Sequence, residues 1–129
     1  MRKATILTLT IAFSGFGLMA QDDLATYQPI MKATAGANGA MRKAAGAGEV
    51  ADAAAKAKEM SAGFDKIAAF FKEKGKDDAV GFAMAASAVG KAVAEATTKE
   101  DQAAAIAKLG MNCQGCHKVY RDGEKFKGL

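Results

Sequence analysis

Four stretches of the chain repeat apolar residues at alternating steps of three and four, the spacing of one face of an α-helix. The first, third and fourth stretches lie within residues 24–41, 82–96 and 106–120. The clearest stretch is the second, with Val50, Ala53, Ala57, Met60, Phe64, Ile67 and Phe71. Most of its charged residues fall off that stripe, as expected of a solvated face. Since no β-pattern is evident, the spacing predicts an all-α fold.

Short turn signals separate the four predicted helices. Gly46 and Gly48 follow the first, a charged turn at 74–78 with an aspartate suited to cap the next helix follows the second, and Thr98 follows the third. Thr98 with Asp101 resembles a capping box for the last helix. Helices joined by short turns run antiparallel, so we expect an up-down-up-down four-helix bundle.

Composition predicts a core that is weak by itself. The 129 residues allow one domain with one core. Half of them are hydrophobic, but only 7% are aromatic and none is Trp. Alanine dominates the apolar residues, which favours closely packed helices but buries little area per residue. A large apolar cofactor would supply the missing body of the core.

The last predicted helix contains Cys113-Gln114-Gly115-Cys116-His117. This is the C-x-x-C-H pattern of covalent c-type haem attachment. On a helix, residues three and four apart share a face, so both thiols and the imidazole would reach one flat ring. Thioether tethers require thiols, and iron coordination requires an imidazole nitrogen. The segment therefore predicts one covalent haem c, with His117 as an axial ligand.

Three other interpretations of this segment are weaker. A thioredoxin-like redox pair requires a βαβ context and has no use for the histidine, although a thiol–disulfide oxidoreductase stays open if no haem is attached. A structural zinc site needs four ligands, and the chain has only two Cys and one His. A disulfide between Cys113 and Cys116 would close too small a loop to add much stability.

Residues 1–20 have the pattern of a secretory signal peptide, followed by one domain over residues 21–129. Arg2 and Lys3 give the positive start, an apolar segment runs from about Ile6 to Phe16, and Ala20 suits the residue before the cut. The segment is short and weakly apolar for a membrane span, although a retained anchor helix is the alternative. We therefore expect a periplasmic protein with no membrane anchor after processing, because c-type haem is attached outside the cytoplasm.

The charge balance gives no sign of a nucleic-acid partner. Without Arg2 and Lys3, the 18 basic residues become 16 against 14 acidic residues, a balance of +2. Two haem propionates would bring the net charge close to zero. This is not the charge pattern of a nucleic-acid-binding protein.

The mature chain resembles the class II c-type cytochromes, the cytochromes c′ and the low-spin cytochromes c-556. The resemblance rests on haem attachment in the last helix and is most specific from Lys108 through the C-x-x-C-H segment to Tyr120 and Arg121. It implies a four-helix bundle with its haem on the last helix. The chain departs from the family at Tyr27, where an arginine often contacts a propionate, and it lacks the family's tryptophan segment.

The resemblance also implies a ligand opposite His117. The matching residue is Met31, and a methionine there binds the iron in low-spin members, whereas a Leu or Phe leaves it five-coordinate in high-spin members. Met31 could instead be ordinary core, and Met41 is a weaker candidate. Tyr27 could reach a propionate or only pack its ring. Arg121 could shield His117 or only favour the helix end.

These expectations define an electron carrier rather than an enzyme. One haem with His117 and Met31 as axial ligands would carry single electrons to and from redox partner proteins. Lysines such as Lys118, Lys125 and Lys127 could steer an acidic partner toward the haem edge. The alternative is a five-coordinate cytochrome c′ that binds nitric oxide or carbon monoxide. Monomer and homodimer both remain open.

Overall fold

The computed structural model describes the backbone of residues 16–122 and 125–126 and the side chains of residues 23–121. Most of this backbone is helical, which confirms the all-α class. The helices are α1 Phe16–Ala47, α2 Val50–Glu73, α3 Asp77–Glu95, α4 Lys99–Ile106 and α5 Leu109–Tyr120. Two short strands follow, β1 Arg121–Asp122 and β2 Lys125–Phe126, which pair antiparallel. Residues 1–15, most of the predicted signal peptide, lie outside the described part.

The predicted turns lie where the sequence places them. Gly48 and Gly75 adopt φ values of +79° and +68°, a left-handed conformation that favours glycine, directly after α1 and within the α2–α3 turn. The Thr98 hydroxyl accepts a hydrogen bond from the Asp101 amide at 3.1 Å, which confirms the predicted cap. These two turns and this cap are therefore fixed by local chemistry that can be read from the sequence.

Two details of the prediction are wrong. The predicted last helix is divided into α4 and α5, because the Lys108 amide bonds to the Ala105 carbonyl three residues back and the α-helical ladder ends there. The helix also ends at Tyr120 rather than at Gly123, which lies outside the described residues. A two-residue strand pair follows in place of further helix.

A third detail concerns the start of α3. Lys76, not an aspartate, occupies the N-cap position, and Asp77 is the first helical residue. The Asp78 carboxylate instead accepts hydrogen bonds from the Ala79 amide and from the Tyr120 phenol. A tertiary contact therefore uses the side chain that the sequence suggested as a cap.

The order of packing leaves one seam open. α2 packs against α1 on one side and α3 on the other, α3 packs against α5, and α1 touches α4. α1 and α5 make few direct contacts. The predicted stripes form the core, whose fully buried side chains include Met41, Met60, Phe71, Val93 and Leu109.

Close approach of α2 and α3 explains why small residues dominate their interface. A Cβ on Gly90 would lie 2.9 Å from the Ala57 carbonyl oxygen and 2.9 Å from Ser61 Cβ. The Ser61 hydroxyl also bonds to the Ser87 hydroxyl at 2.8 Å across the same interface. Such tight packing compensates for the small area that each alanine buries.

Gln102 fixes α4 against the rest of the fold. Its side chain is fully buried, and its Nε2 donates to the carbonyls of Val50 at 2.9 Å and Val93 at 3.3 Å. The bond to Val93 satisfies a carbonyl in the last turn of α3, where the helix itself offers no partner, and the bond to Val50 ties α4 to the start of α2. Since α5 follows α4 after two residues, this anchor also sets where α5 begins. Of the helices described, none is both long enough and apolar enough to cross a membrane.

Candidate functional site

A cavity of about 940 Å³ occupies the open seam between α1 and α5. Five of the six predicted site residues line it: Tyr27 and Met31 from α1, Cys116 and His117 from α5, and Arg121 directly after α5. The volume falls in the range of about 300–1,000 Å³ that is usual for cofactor pockets. Residues from the two ends of the sequence are therefore brought together at one site.

A smaller void of about 20 Å³ extends the cavity inward. It shares Tyr27, Met31, Cys116 and His117 with the larger cavity and adds Cys113, the sixth predicted residue. Its remaining lining is mostly apolar and comprises Phe64, Ile67, Phe82, Ala83 and Asn112. The site thus becomes more apolar from its mouth toward the core.

Buried residues at both ends of α5 hold the C-x-x-C-H segment in place. Leu109 is fully buried at the start of the helix, and Tyr120 is buried at its end. Cys113, Cys116 and His117 lie between them and are half-buried. All three line the smaller void, and Cys116 and His117 also line the cavity, so the predicted common face is the one turned to this site.

Gly115 allows α5 to approach α3 closely. A Cβ at this position would overlap the ring of Phe82, which lies against the helix backbone. Phe82 also lines the inner void. The glycine between the two cysteines therefore has a packing role that the C-x-x-C-H pattern does not require, because the intervening positions of that pattern are unrestricted.

Tyr120 connects the end of α5 to the start of α3. Its phenol donates a hydrogen bond to the Asp78 carboxylate. This bond lowers the pKa of Asp78, and together with burial it raises the pKa of Tyr120 to about 12. The pair fixes the orientation of α5 three residues after His117.

Burial keeps both cysteines in the thiol form. It raises the pKa of Cys113, and it raises the pKa of Cys116 to about 11, with a smaller contribution from the negative charge of Asp78. Reactive cysteines of redox enzymes have lowered pKa values instead. The surroundings of Cys113 and Cys116 therefore do not activate them as nucleophiles at neutral pH.

His117 is held in its neutral form. Partial burial and the positive charge of Arg121 both lower the pKa of its imidazole. A neutral imidazole has a nitrogen lone pair available for a metal. His117 therefore has the protonation state that an axial ligand requires.

The structure separates the two candidate methionines. Met31 is half-buried and lines both the cavity and the inner void. Met41 is fully buried within the hydrophobic core. Of the two, only Met31 has its side chain at the same site as His117.

Tyr27 is chiefly a packing residue. It is buried, and its ring centroid lies 5.3 Å from that of Phe70 and 5.6 Å from that of Phe71. The ring of Phe71 in turn lies 5.2 Å from that of Tyr120, so an aromatic cluster forms one wall behind the cavity. Burial raises the pKa of the Tyr27 phenol to about 12, and the phenol remains protonated at neutral pH.

Among residues 23–121, two charged side chains line the cavity, and sequence reasoning found only one. Arg121 is exposed and lies close to both Tyr27 and His117: its charge helps burial to lower the pKa of His117 and partly opposes the rise that burial causes in the pKa of Tyr27. Lys32, next to Met31, also lines the cavity and was missed. Lys32 shares a helix face with Gln28 and Ala35, which line the same wall, but nothing in the sequence marks that face as the one turned to the cavity.

The donor set suits a metal that brings most of its own ligands. Among residues 23–121, no group of three or more His, Cys, Asp or Glu side chains is arranged to hold a metal ion. A haem ring supplies four nitrogens to its iron and needs only axial ligands from the protein. His117 and Met31 on different helices could supply these, and the two thiols could tether the ring.

Comparison with known proteins adds no family assignment: no family model, no curated protein and no solved structure matches this chain.

Proposed function

We propose that the protein is a periplasmic electron carrier of the class II c-type cytochromes, with one haem bound covalently in the cavity between α1 and α5. One observation carries the proposal: Met31 and His117, on different helices, line a single cavity that the thiols of Cys113 and Cys116 also border. A cavity with two thiols and two iron-binding side chains has the parts that a tethered, six-coordinate haem needs.

The proposed architecture is an up-down-up-down bundle whose last member, α4 together with α5, carries the haem. Short connections at residues 48–49, 74–76 and 96–98 support it, because helices joined by so few residues pack as antiparallel neighbours. The seam between the first and the last member is the one filled by the cofactor. This accounts for the few contacts that α1 and α5 make directly.

Each site residue has one role in this proposal. The bound haem supplies one-electron chemistry between ferric and ferrous iron. Cys113 and Cys116 hold the ring by thioether bonds, and the neutral imidazole of His117 provides one axial nitrogen. Met31 provides the opposite thioether sulfur, which raises the reduction potential. Arg121 lies beside His117, and its charge adds to the effect of burial in lowering the pKa of the imidazole.

The raised pKa values of both cysteines favour this proposal over a thiol–disulfide oxidoreductase. An attacking thiol of that class needs a thiolate at neutral pH, and burial opposes its formation here. No substrate bond is made or broken in the proposed function, so the protein is not an enzyme. Its partners are redox proteins.

Absorption spectra of the purified holo-protein test the proposal and separate it from gas binding. We expect a covalently bound haem with a low-spin ferric spectrum that includes the weak long-wavelength band of methionine–iron ligation. A protein that is high-spin in the ferric form and binds carbon monoxide at once after reduction would instead identify a five-coordinate cytochrome c′. A protein without haem would leave the thiol–disulfide function as the better proposal.

A further inference from the structure

We propose that Lys32 is the counter-cation for a haem carboxylate at the mouth of the cavity, where it orients the ring and raises the reduction potential. This inference rests on the proposed function, because it assigns a role toward the same haem. Lys32 lies on α1, and the C-x-x-C-H pattern of α5 does not predict a role for it.

The charges around the cavity support this assignment. Among the described residues that line it, the permanently charged side chains are Lys32 on α1 and Arg121 after α5, and none is acidic. A cavity with a cation on each wall favours an anionic ligand edge. A haem carries two carboxylates on one edge, which matches the number and sign of these charges.

The change in polarity from mouth to core gives the ligand a direction. Phe64, Ile67 and Phe82 line the inner void, whereas Lys32 and Arg121 line the outer cavity and are exposed. Burying a carboxylate among these inner side chains would be strongly unfavourable, because none of the three offers a cation or a hydrogen-bond donor to replace its hydration. The carboxylate edge of the ring therefore faces the mouth.

Lys32 is better placed for this role than Tyr27. Tyr27 is buried against Phe70 and Phe71, and its phenol carries no charge at neutral pH. Lys32 is exposed and cationic, and Gln28 one turn before it lines the same wall. The α1 wall thus offers a charge at position 32 and a neutral amide donor at position 28.

The expected effect on the iron is modest and has a definite sign. Without the Lys32 cation, a carboxylate near the iron is less neutralised, and its negative charge stabilises the ferric state. Exposed ion pairs are weak, so we expect the one-electron equilibrium to shift about three- to fivefold toward the ferric form. This corresponds to a fall of about 30–40 mV, at about 59 mV for each tenfold change.

The experiment compares reduction potentials of four holo-proteins at low and high ionic strength: wild type, Lys32→Gln, Lys32→Arg and Lys43→Gln. Lys43 is exposed on the same helix and does not line the cavity, so its variant controls for loss of an α1 charge. We expect Lys32→Gln to lower the potential, with a larger fall at low salt, because screening weakens exposed charges. Lys32→Arg should restore the wild-type value.

The spectra of the same samples separate this inference from the proposed function. If the wild type carries covalent haem but Lys32→Gln changes the potential no more than Lys43→Gln does, only the role of Lys32 is overturned. If the wild type carries no haem, both proposals are overturned together. A shift in Lys32→Gln with an unchanged ferric spectrum supports the role in carboxylate binding, because a displaced Met31 would change the spin state.

Discussion

Met31 of α1 and His117 of α5 line the same cavity, although they lie near opposite ends of the sequence. α1 packs on α2, α2 packs on α3 and α3 packs on α5. This order brings α1 and α5 to the two sides of one open seam. The relationship makes the axial ligands of the proposed haem a testable pair.

Met31→Leu is expected to remove the ligand while keeping the fold. Leu and Met are close in volume, so the packing cost should stay below about 1.5 kcal/mol. The ferric protein should become high-spin, and its reduction potential should fall. The reduced protein should bind carbon monoxide much faster than reduced wild type does. Ferric spectra, potentiometry and flash photolysis measure these three changes.

Met41→Leu is the matched control for Met31→Leu. Met41 is fully buried in the core and does not line the cavity, so the same substitution there should leave spin state and potential unchanged. A wild type that is already high-spin and insensitive to Met31→Leu would rule out methionine ligation. The gas-binding function would then be the better account.

Gly115→Ala is expected to disturb the packing of α5 on α3. The added methyl group would overlap the Phe82 ring, so the free energy of unfolding should fall by about 1–3 kcal/mol. Gly110→Ala on the same helix is the control, because its Cβ meets no atom within 4 Å and alanine is the better helix former. Chemical denaturation of the holo-protein measures both changes.

A second substitution tests the cause assigned to the Gly115→Ala effect. Phe82→Leu removes the ring that the new methyl group would meet, so the double variant should lose less stability than the two single changes added together. Strict additivity would show that the cost of Gly115→Ala does not arise from contact with Phe82.

Tyr120→Phe is expected to change how stability depends on pH. The Tyr120 hydrogen bond lowers the pKa of Asp78 below its unfolded value of 3.8. Its stabilisation is therefore fully present above pH 3.8 and is lost as pH falls through the lower folded value. The raised pKa of Tyr120 works in the opposite direction, so stability falls as pH rises from its unfolded value of 10.0 through about 12.

The Tyr120→Phe variant should lose the part of the pH dependence of stability that Tyr120 contributes, both in acid and in alkali. The denaturation midpoints of wild type and Tyr120→Phe should differ most between pH 3.8 and pH 10.0, and the difference should shrink at lower and at higher pH. Asp77→Asn removes an acidic charge one residue from Asp78 and should leave the alkaline slope unchanged. Parallel pH profiles for wild type and Tyr120→Phe would contradict the assigned bond.

The sequence predicted the parts of this fold that depend on local periodicity and capping. The stripe from Ala53 to Phe71 is buried on α2, and Thr98 caps α4 as expected. The break before Leu109 was not predicted, because the residues between α4 and α5, Ala107 and Lys108, are both good helix formers. It follows from burial of that leucine and from the anchoring of Gln102 to two other helices.

The same division holds at the candidate site. Spacing alone placed Cys113, Cys116 and His117 on one face of a helix, because that relation is local. The bond between Tyr120 and Asp78 joins two helices, and the position of Lys32 at the cavity depends on a seam left open by tertiary packing. Neither leaves a periodic signal in the sequence, so only the packed structure reveals them.

Export is expected to remove residues 1–20. The mature chain should begin at Gln21 and be recovered in the periplasmic fraction, because the apolar segment of the first 20 residues suits a cleaved signal rather than a span. N-terminal sequencing of the fractionated protein checks both points. A full-length product in the membrane fraction would identify a retained anchor instead.

The most direct test of the central claim is whether haem stays on the polypeptide after denaturation in acidified organic solvent. Thioether bonds survive this treatment, whereas coordination bonds to His117 and Met31 do not. We expect the intact mass of the wild type to include one haem. Cys113→Ala and Cys116→Ala should each retain at most one tether and yield less holo-protein, and the double variant should release all of its haem. Free extraction of haem from the wild type, or a mass without haem, would contradict the account.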